Sequence, residues 1–180
     1  MLDFAAEAGL VTLLHNDIDM PFPRPGQEPY QVEQLRELFL RHPKTTIVWA
    51  HIGLGRVVRP VKDQLGIVER ALANPALSHV NFDISWDEVA KYVMATPETT
   101  KAVADLINRY PDRFLFGTDE VAPADQAKYL KVYDQYAPLF AQLTRAASDK
   151  VRKGNYERLF DAARPRVRAW ERAHAKKERT

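Results

Sequence analysis

Apolar residues follow two alternating rhythms along the chain. Compact runs of four to six mostly apolar or β-branched residues read as strands: Leu10 to Leu14, Thr45 to Ala50, His79 to Ile84 and Arg113 to Phe116. Between them, apolar positions recur every three or four residues, the spacing of a helix with one buried face. Gln31 to His42 places Val32, Leu35, Leu38 and Phe39 on such a face, and Pro43 ends it. Val61 to Ala73 does the same with Leu65, Val68 and Leu72. Helical segments also run to Tyr110, with Pro97 near the start, over Ala124 to Phe140 and over Ser148 to Lys153, and Gly154-Asn155 opens a last one.

Strands that alternate with helices imply βαβ units and a parallel sheet. IVWA (47–50) is apolar on both faces, as in a sheet covered on both sides. The fold class expected is α/β: a parallel (βα)4 half of a TIM-like (β/α)8 barrel, with C-terminal helices. A closed barrel needs about 250 residues, and the 180 present here supply four units. Residues 1–163 are assigned to the half-barrel and 164–180 to a basic helical tail. LDFAAEA (2–8) reads as the end of a helix closed by Gly9. The expectation is therefore a truncated chain that needs the missing barrel half or self-association.

Charge and composition narrow the classes without choosing among them. The net charge of +2 gives no general attraction to nucleic acid. The tail from Arg164 holds seven Lys/Arg against two Asp/Glu, which leaves the remainder net negative; such a run reads as a solvated helix end. Without cysteine there is no disulfide, thiol nucleophile or thiolate zinc site. No apolar run approaches a membrane span, and Asp3 and Glu7 do not suit a signal peptide. The default is a soluble, cytoplasmic protein acting on a small molecule, although a secretion signal could lie in a missing N-terminal half.

The chemistry collects at strand ends. His15, His51 and Asp119 each follow a predicted strand, and α/β barrels build their active sites at the C-terminal ends of strands. Imidazole and carboxylate are the usual ligands of a catalytic zinc, which lowers the pKa of a bound water to about 7. A neighbouring carboxylate can take the proton. Each residue also has a plainer reading: a lone histidine is more often a hydrogen-bonded structural residue, and Asp119 in GTDE can cap a turn. Three such residues at three strand ends favour the site. Asp17 and Asp19 in HNDID, Asp83 at the end of the third strand and Arg56 in HIGLGR are weaker candidates for substrate contacts; a solvated loop, a strand hydrogen bond and an ion pair are the respective alternatives. Gly53-x-Gly55 is no nucleotide fingerprint and reads instead as a sharp turn beside His51. His42, His79 and His174 receive no role.

IVWAHIG (47–53), FLFGTDE (114–120) and KGNYERLF (153–160), in that order, resemble the second half of the amidohydrolase superfamily, specifically its "amidohydrolase 2" branch. The resemblance runs from Leu2 to about Trp170. It implies a metal-dependent TIM-barrel hydrolase with one or two divalent metals, zinc being expected, that cleaves a C–N, C–O or lactone bond with metal-activated water. It implies that His15 is a metal ligand, that His51 is a second ligand or polarises substrate, and that Asp119 binds metal and serves as the general base. Asn155 matches a structural asparagine. The family's His-x-His after the first strand, and its Lys or Glu after the fourth, have no counterpart here, so the chain alone is expected to be incomplete as a metal site. Two alternatives are a metal-dependent decarboxylase on the same scaffold and a non-catalytic half-barrel.

Overall fold

Four parallel strands lie side by side in chain order: β1 (Val11–Leu14), β2 (Thr46–Trp49), β3 (Val80–Asp83) and β4 (Phe114–Leu115). The computed structural model describes residues 1–18, 29, 31–54, 60–120 and 122–175. Neighbouring parallel strands need long crossovers. These are helical: α2 (Val32–Arg41) joins β1 to β2, α3 (Gln64–Ala73) joins β2 to β3, and α4 (Asp87–Val93) with α5 (Pro97–Arg109) joins β3 to β4. This is the (βα)4 arrangement expected from the sequence.

The pleat sorts side chains by face. Ile47, Trp49, Val80, Phe82 and Phe114 turn towards the helices and pack with Phe39, Val68 and Ile107 in the main core. Fully burying a side chain of this kind contributes about 1.5–3 kcal/mol. On the opposite face Val48 and Leu115 meet Leu159, with Val11 and Phe160 partly buried beside them. Leu13, paired in register with Val48, is 64% exposed. β4 stops after two residues because the Phe116 N–H leaves the ladder and donates to the Val151 carbonyl at 3.1 Å.

Helix boundaries depart from expectation in three places, the first being α3, which starts at Gln64 rather than Val61. The segment 124–140 divides into α6 (Gln126–Gln135) and α7 (Ala137–Phe140), because Pro138 has no N–H to continue the ladder. No new helix opens at Gly154-Asn155. Instead α8 (Arg145–Asp149) passes through two wide π-type turns, 150–154 and 157–161, into α9 (Ala162–Ala175). Asn155 is buried in this run. Its amide donates to the carbonyls of Pro111 at 2.7 Å and Phe114 at 2.8 Å, pinning the helix to the start of β4.

The last helix returns to the first. α1 (Leu2–Ala8) ends at Gly9, whose φ of 75° is left-handed. A Cβ there would stand 2.8 Å from that of Arg166, so glycine serves both the cap and the close approach of α9. Trp170 packs edge-on against Phe4 at 5.3 Å and donates to Glu7 at 3.3 Å. α9 runs without a break across the 163/164 position. Among the described residues, no helix is long and apolar enough to cross a membrane.

Candidate active site

The C-terminal ends of β1, β2 and β4 open onto one volume. His15 follows β1 directly and is exposed. After β2 the chain makes a tight turn, Ala50–Gly53, in which His51, Ile52 and Gly53 take φ values of 56°, 49° and 77°. Left-handed backbone is unfavourable for a non-glycine residue and most of all for a β-branched one; each such residue costs on the order of 1–3 kcal/mol. The surroundings hold the turn in place. Gln64 Nε2 donates to the Ile52 carbonyl at 2.8 Å, Ile18 N–H to the Gly53 carbonyl at 2.8 Å, and His51 N–H to Asp83 Oδ2 at 3.4 Å. At Gly53 a Cβ would come within 2.5 Å of Ile18 Cγ1, so the sharp turn expected beside His51 does need this glycine.

This turn swings the His51 ring over the end of the sheet. The ring lies edge-on to His15 with centroids 4.9 Å apart, and 5.3 Å from Trp86. Its Nε2 stands 3.5 Å from Asp119 Oδ2. Asp119 lies in the loop after β4 with a left-handed φ of 47° and a half-exposed carboxylate. Nδ1 of His51 lies 3.2 Å from the Ser85 carbonyl. A carbonyl only accepts, so a hydrogen bond at this contact requires the ring proton on Nδ1, with Nε2 then turned to Asp119.

Asp83 forms the floor beneath His51. Its Oδ1 accepts from Ser85 N–H at 2.9 Å, and its Oδ2 accepts from Ser85 Oγ–H at 2.5 Å and from His51 N–H. Burial pushes the carboxyl above its ordinary value, against the hydrogen bonds from Ser85 and the nearby His51 ring. The Ile84–Trp86 segment is secured from its other side. Trp86 N–H donates to the Thr118 carbonyl at 3.2 Å, and the fully buried Tyr136 hydroxyl faces the carbonyls of Ile84 and Trp86.

The structure thus brings His15, His51 and Asp119 together, with Asp83 underneath. Asp17 is half-buried in the loop after β1 and is joined to none of these four by a hydrogen bond or ion pair. Arg56 and Asp19 lie outside the described residues. Sequence reasoning passed over Ser85, Trp86, Gln64 and Tyr136. Gln64 had a signal: it shares a helical face with Val68, so a polar side chain there points into the core and needs a partner. Tyr136 had none.

Two imidazoles and a carboxylate suit a divalent ion such as zinc. The 3.5 Å between His51 Nε2 and Asp119 Oδ2 is long for a hydrogen bond. It is close to the roughly 3.3 Å that separates two ligands sharing a tetrahedral ion at about 2.0–2.1 Å. Yet among the described residues no three His, Cys, Asp or Glu side chains are grouped so as to hold an ion. The donor types and one pair fit; a full ligand set is not assembled.

A family model for amidohydrolases matches residues 1–162. Among solved structures, the chain resembles an uncharacterised TIM-barrel protein of Bordetella bronchiseptica, with a TM-score of 0.60 and 16% identity over 90% of this chain and 49% of that one. It also resembles a zinc-bound amidohydrolase of Burkholderia multivorans, with a TM-score of 0.57 and 15% identity over 89% and 55% of the two chains. A third similar structure is an amidohydrolase of Bifidobacterium longum subsp. infantis, with a TM-score of 0.53 and 14% identity over 89% and 53%. The chain spans about half the length of the solved structures it matches. No curated protein matches the sequence.

Proposed function

The chain belongs to the amidohydrolase family, and within it we propose that the His15–His51–Asp119 end of the sheet is the hydrolytic half of a metal-dependent active site. The observation that carries this reading is the approach of His51 Nε2 to Asp119 Oδ2 at 3.5 Å with His15 against the same ring. His51 and His15 would hold a divalent ion, most suitably zinc, through imidazole nitrogen, and Asp119 through its carboxylate. When bound, the ion supplies Lewis-acid activation of water. Asp119 sits half-exposed at the rim, where its free oxygen accepts the proton of a water attacking a C–N, C–O or lactone carbon. Asp83 is too enclosed and too fully hydrogen-bonded to share that task.

Zinc titration tests the reading directly. With three donors and one of them half-exposed, the 180-residue chain is expected to bind zinc with a Kd on the order of micromolar or weaker. His51→Gln and Asp119→Asn should each weaken that binding further. Zinc binding that persists undiminished in both variants overturns the assignment. In the zinc-loaded enzyme, Asp119→Asn should lower hydrolytic turnover by about 10²–10⁴-fold, the usual loss on removing a general base. Turnover within about tenfold of wild type would place the base elsewhere.

A further inference from the structure

The metal-site reading makes no use of the Asp83–Ser85 pair, although it is the most tightly bonded feature beneath the site. One carboxylate receives three donors: Ser85 N–H at 2.9 Å, Ser85 Oγ–H at 2.5 Å and His51 N–H at 3.4 Å. It therefore joins the ends of β2 and β3 through side-chain acceptance rather than through the ladder. The two residues it joins also meet a second time, where the Ser85 carbonyl faces His51 Nδ1 at 3.2 Å.

We propose that Asp83 is a positioning residue for His51: by tying Ser85 to the His51 backbone it fixes the imidazole as the Nδ1–H tautomer, with Nε2 bare towards Asp119 and His15. Three observations combine in this. The His51 backbone is held left-handed, and its N–H needs an acceptor that the strand ladder does not supply. The Ser85 carbonyl reaches Nδ1 at 3.2 Å in a turn that folds Ser85 back over the carboxylate of residue i−2. Asp83 Oδ2 itself lies 3.6 Å from Nδ1, so the nearby negative charge also favours a proton on that nitrogen. Which ring nitrogen is left bare is set by the hydrogen bond that the other one donates. This deepens the metal-site reading by naming what orients one of its ligands, but it is a statement about an imidazole and holds with no metal present.

The rival account is that Asp83 merely closes the Asp83–Ser85 turn. That would affect stability and leave the His51 ring unchanged. Histidine ring 15N spectra separate the two. The chain has five histidines, and the His51 signals are identified by their loss in His51→Gln. Spectra of the metal-free chain are recorded with chelator at pH 8, above the ordinary histidine value of about 6.5. Wild type is expected to show His51 as a single tautomer, protonated on Nδ1. Asp83→Asn keeps the shape but turns one acceptor into a donor, and is expected to lose the single tautomer, giving averaged or exchange-broadened nitrogens. Should Asp83→Asn not fold, Ser85→Ala is read in the same way. It removes the 2.5 Å bond while keeping both backbone groups of residue 85, and a partial loss of the single tautomer is expected. A cooperatively folded variant whose His51 nitrogens match wild type overturns the proposal. Zinc affinity is measured separately. A tautomer that responds in a chain that binds no zinc sinks the metal reading and keeps this one; zinc binding that survives with an unresponsive tautomer does the reverse.

Discussion

Tyr136→Phe removes one oxygen from the middle of the molecule and tests how the floor of the site is held. The Tyr136 side chain is fully buried, and its hydroxyl faces the Ile84 carbonyl and, at 2.8 Å, the Trp86 carbonyl. Burial holds the phenol well above its ordinary range, with the nearby Asp83 and Asp87 charges adding to the shift, so the group is a donor at any ordinary pH. Phenylalanine keeps the ring, and with it the contacts to Phe116 at 4.7 Å and Phe140 at 6.0 Å. Little apolar burial is lost and no large cavity opens. What remains is the cost of taking the donor from the Ile84 carbonyl, since the Trp86 carbonyl keeps the Ala90 N–H at 3.1 Å; that cost is about 1–3 kcal/mol. For a chain of this size each kcal/mol moves Tm by about 2–4 °C, so a fall centred near 6 °C is expected. Urea unfolding at constant m-value gives the free energy itself. Tyr133→Phe is the control, because its ring meets the same Phe116 at 4.8 Å but its hydroxyl bonds no described residue. A loss below about 0.5 kcal/mol in Tyr136→Phe, or an equal loss in the control, would refute the claim that this hydroxyl straps the loop after β3.

Gly53→Ala should destabilise the fold by about 2–5 kcal/mol, from a left-handed φ of 77° together with a Cβ 2.5 Å from Ile18 Cγ1; urea midpoints near wild type would show that the turn can relax. His79 has its value pushed below 6.5, chiefly by burial and further by Arg113, against the hydrogen bond to the Phe39 carbonyl. A depressed histidine leaves its stability intact above 6.5 and loses it as pH falls from there through the lowered folded value. Wild type should therefore weaken between pH 7 and 5 by more than His79→Gln does, and parallel pH profiles would remove His79 from the account. Leu13, exposed on the face of β1 turned away from the helices, on the edge strand of the sheet among the described residues, should drive self-association of the 180-residue chain. Light scattering should detect dimers or larger species that Leu13→Glu reduces, and a sharp monomer for the unmodified chain would end that expectation.

The strands were legible because their apolar runs are short, β-branched and separated by helical spacing. TTIVWA became β2 within a residue at each end, since both of its faces are buried, one by the α2–α3 layer and one by Leu159. The meeting of His15, His51 and Asp119 was legible for a topological reason. Parallel strands in chain order put every strand end on one rim, so residues over a hundred positions apart become neighbours. β4, read as Arg113 to Phe116, also lies within a residue at each end; its stop before Phe116 was not legible, because the competing acceptor, the Val151 carbonyl, arrives from a helix that no local pattern links to Phe116. Nor was the continuity of the C-terminal helix: Gly154-Asn155 has the composition of a helix start, but the Asn155 amide is used on Pro111 and Phe114 instead of its own backbone.

Local preference fails at several positions of the candidate site. His51, Ile52 and Asp119 take left-handed backbone against their intrinsic bias, and Asp83 keeps a buried carboxyl despite the desolvation that raises it. Such features persist only where surrounding groups over-determine them. Here those groups are countable: Gln64 on Ile52, Ile18 on Gly53, Asp83 on His51, and Tyr136 on the loop that carries Ser85. The donors therefore come from strand ends, while much of their restraint comes from side chains on α3 and the α6–α7 junction, which carry no candidate chemistry. A substitution at Gln64 or Tyr136 should accordingly disturb His51 without touching it. The rim residues His15 and Asp119 are the exposed members of the set, so they can be replaced with little effect on the fold. That difference separates the two kinds of residue experimentally. Loss of function with intact stability belongs to the rim, and loss of both belongs to the floor.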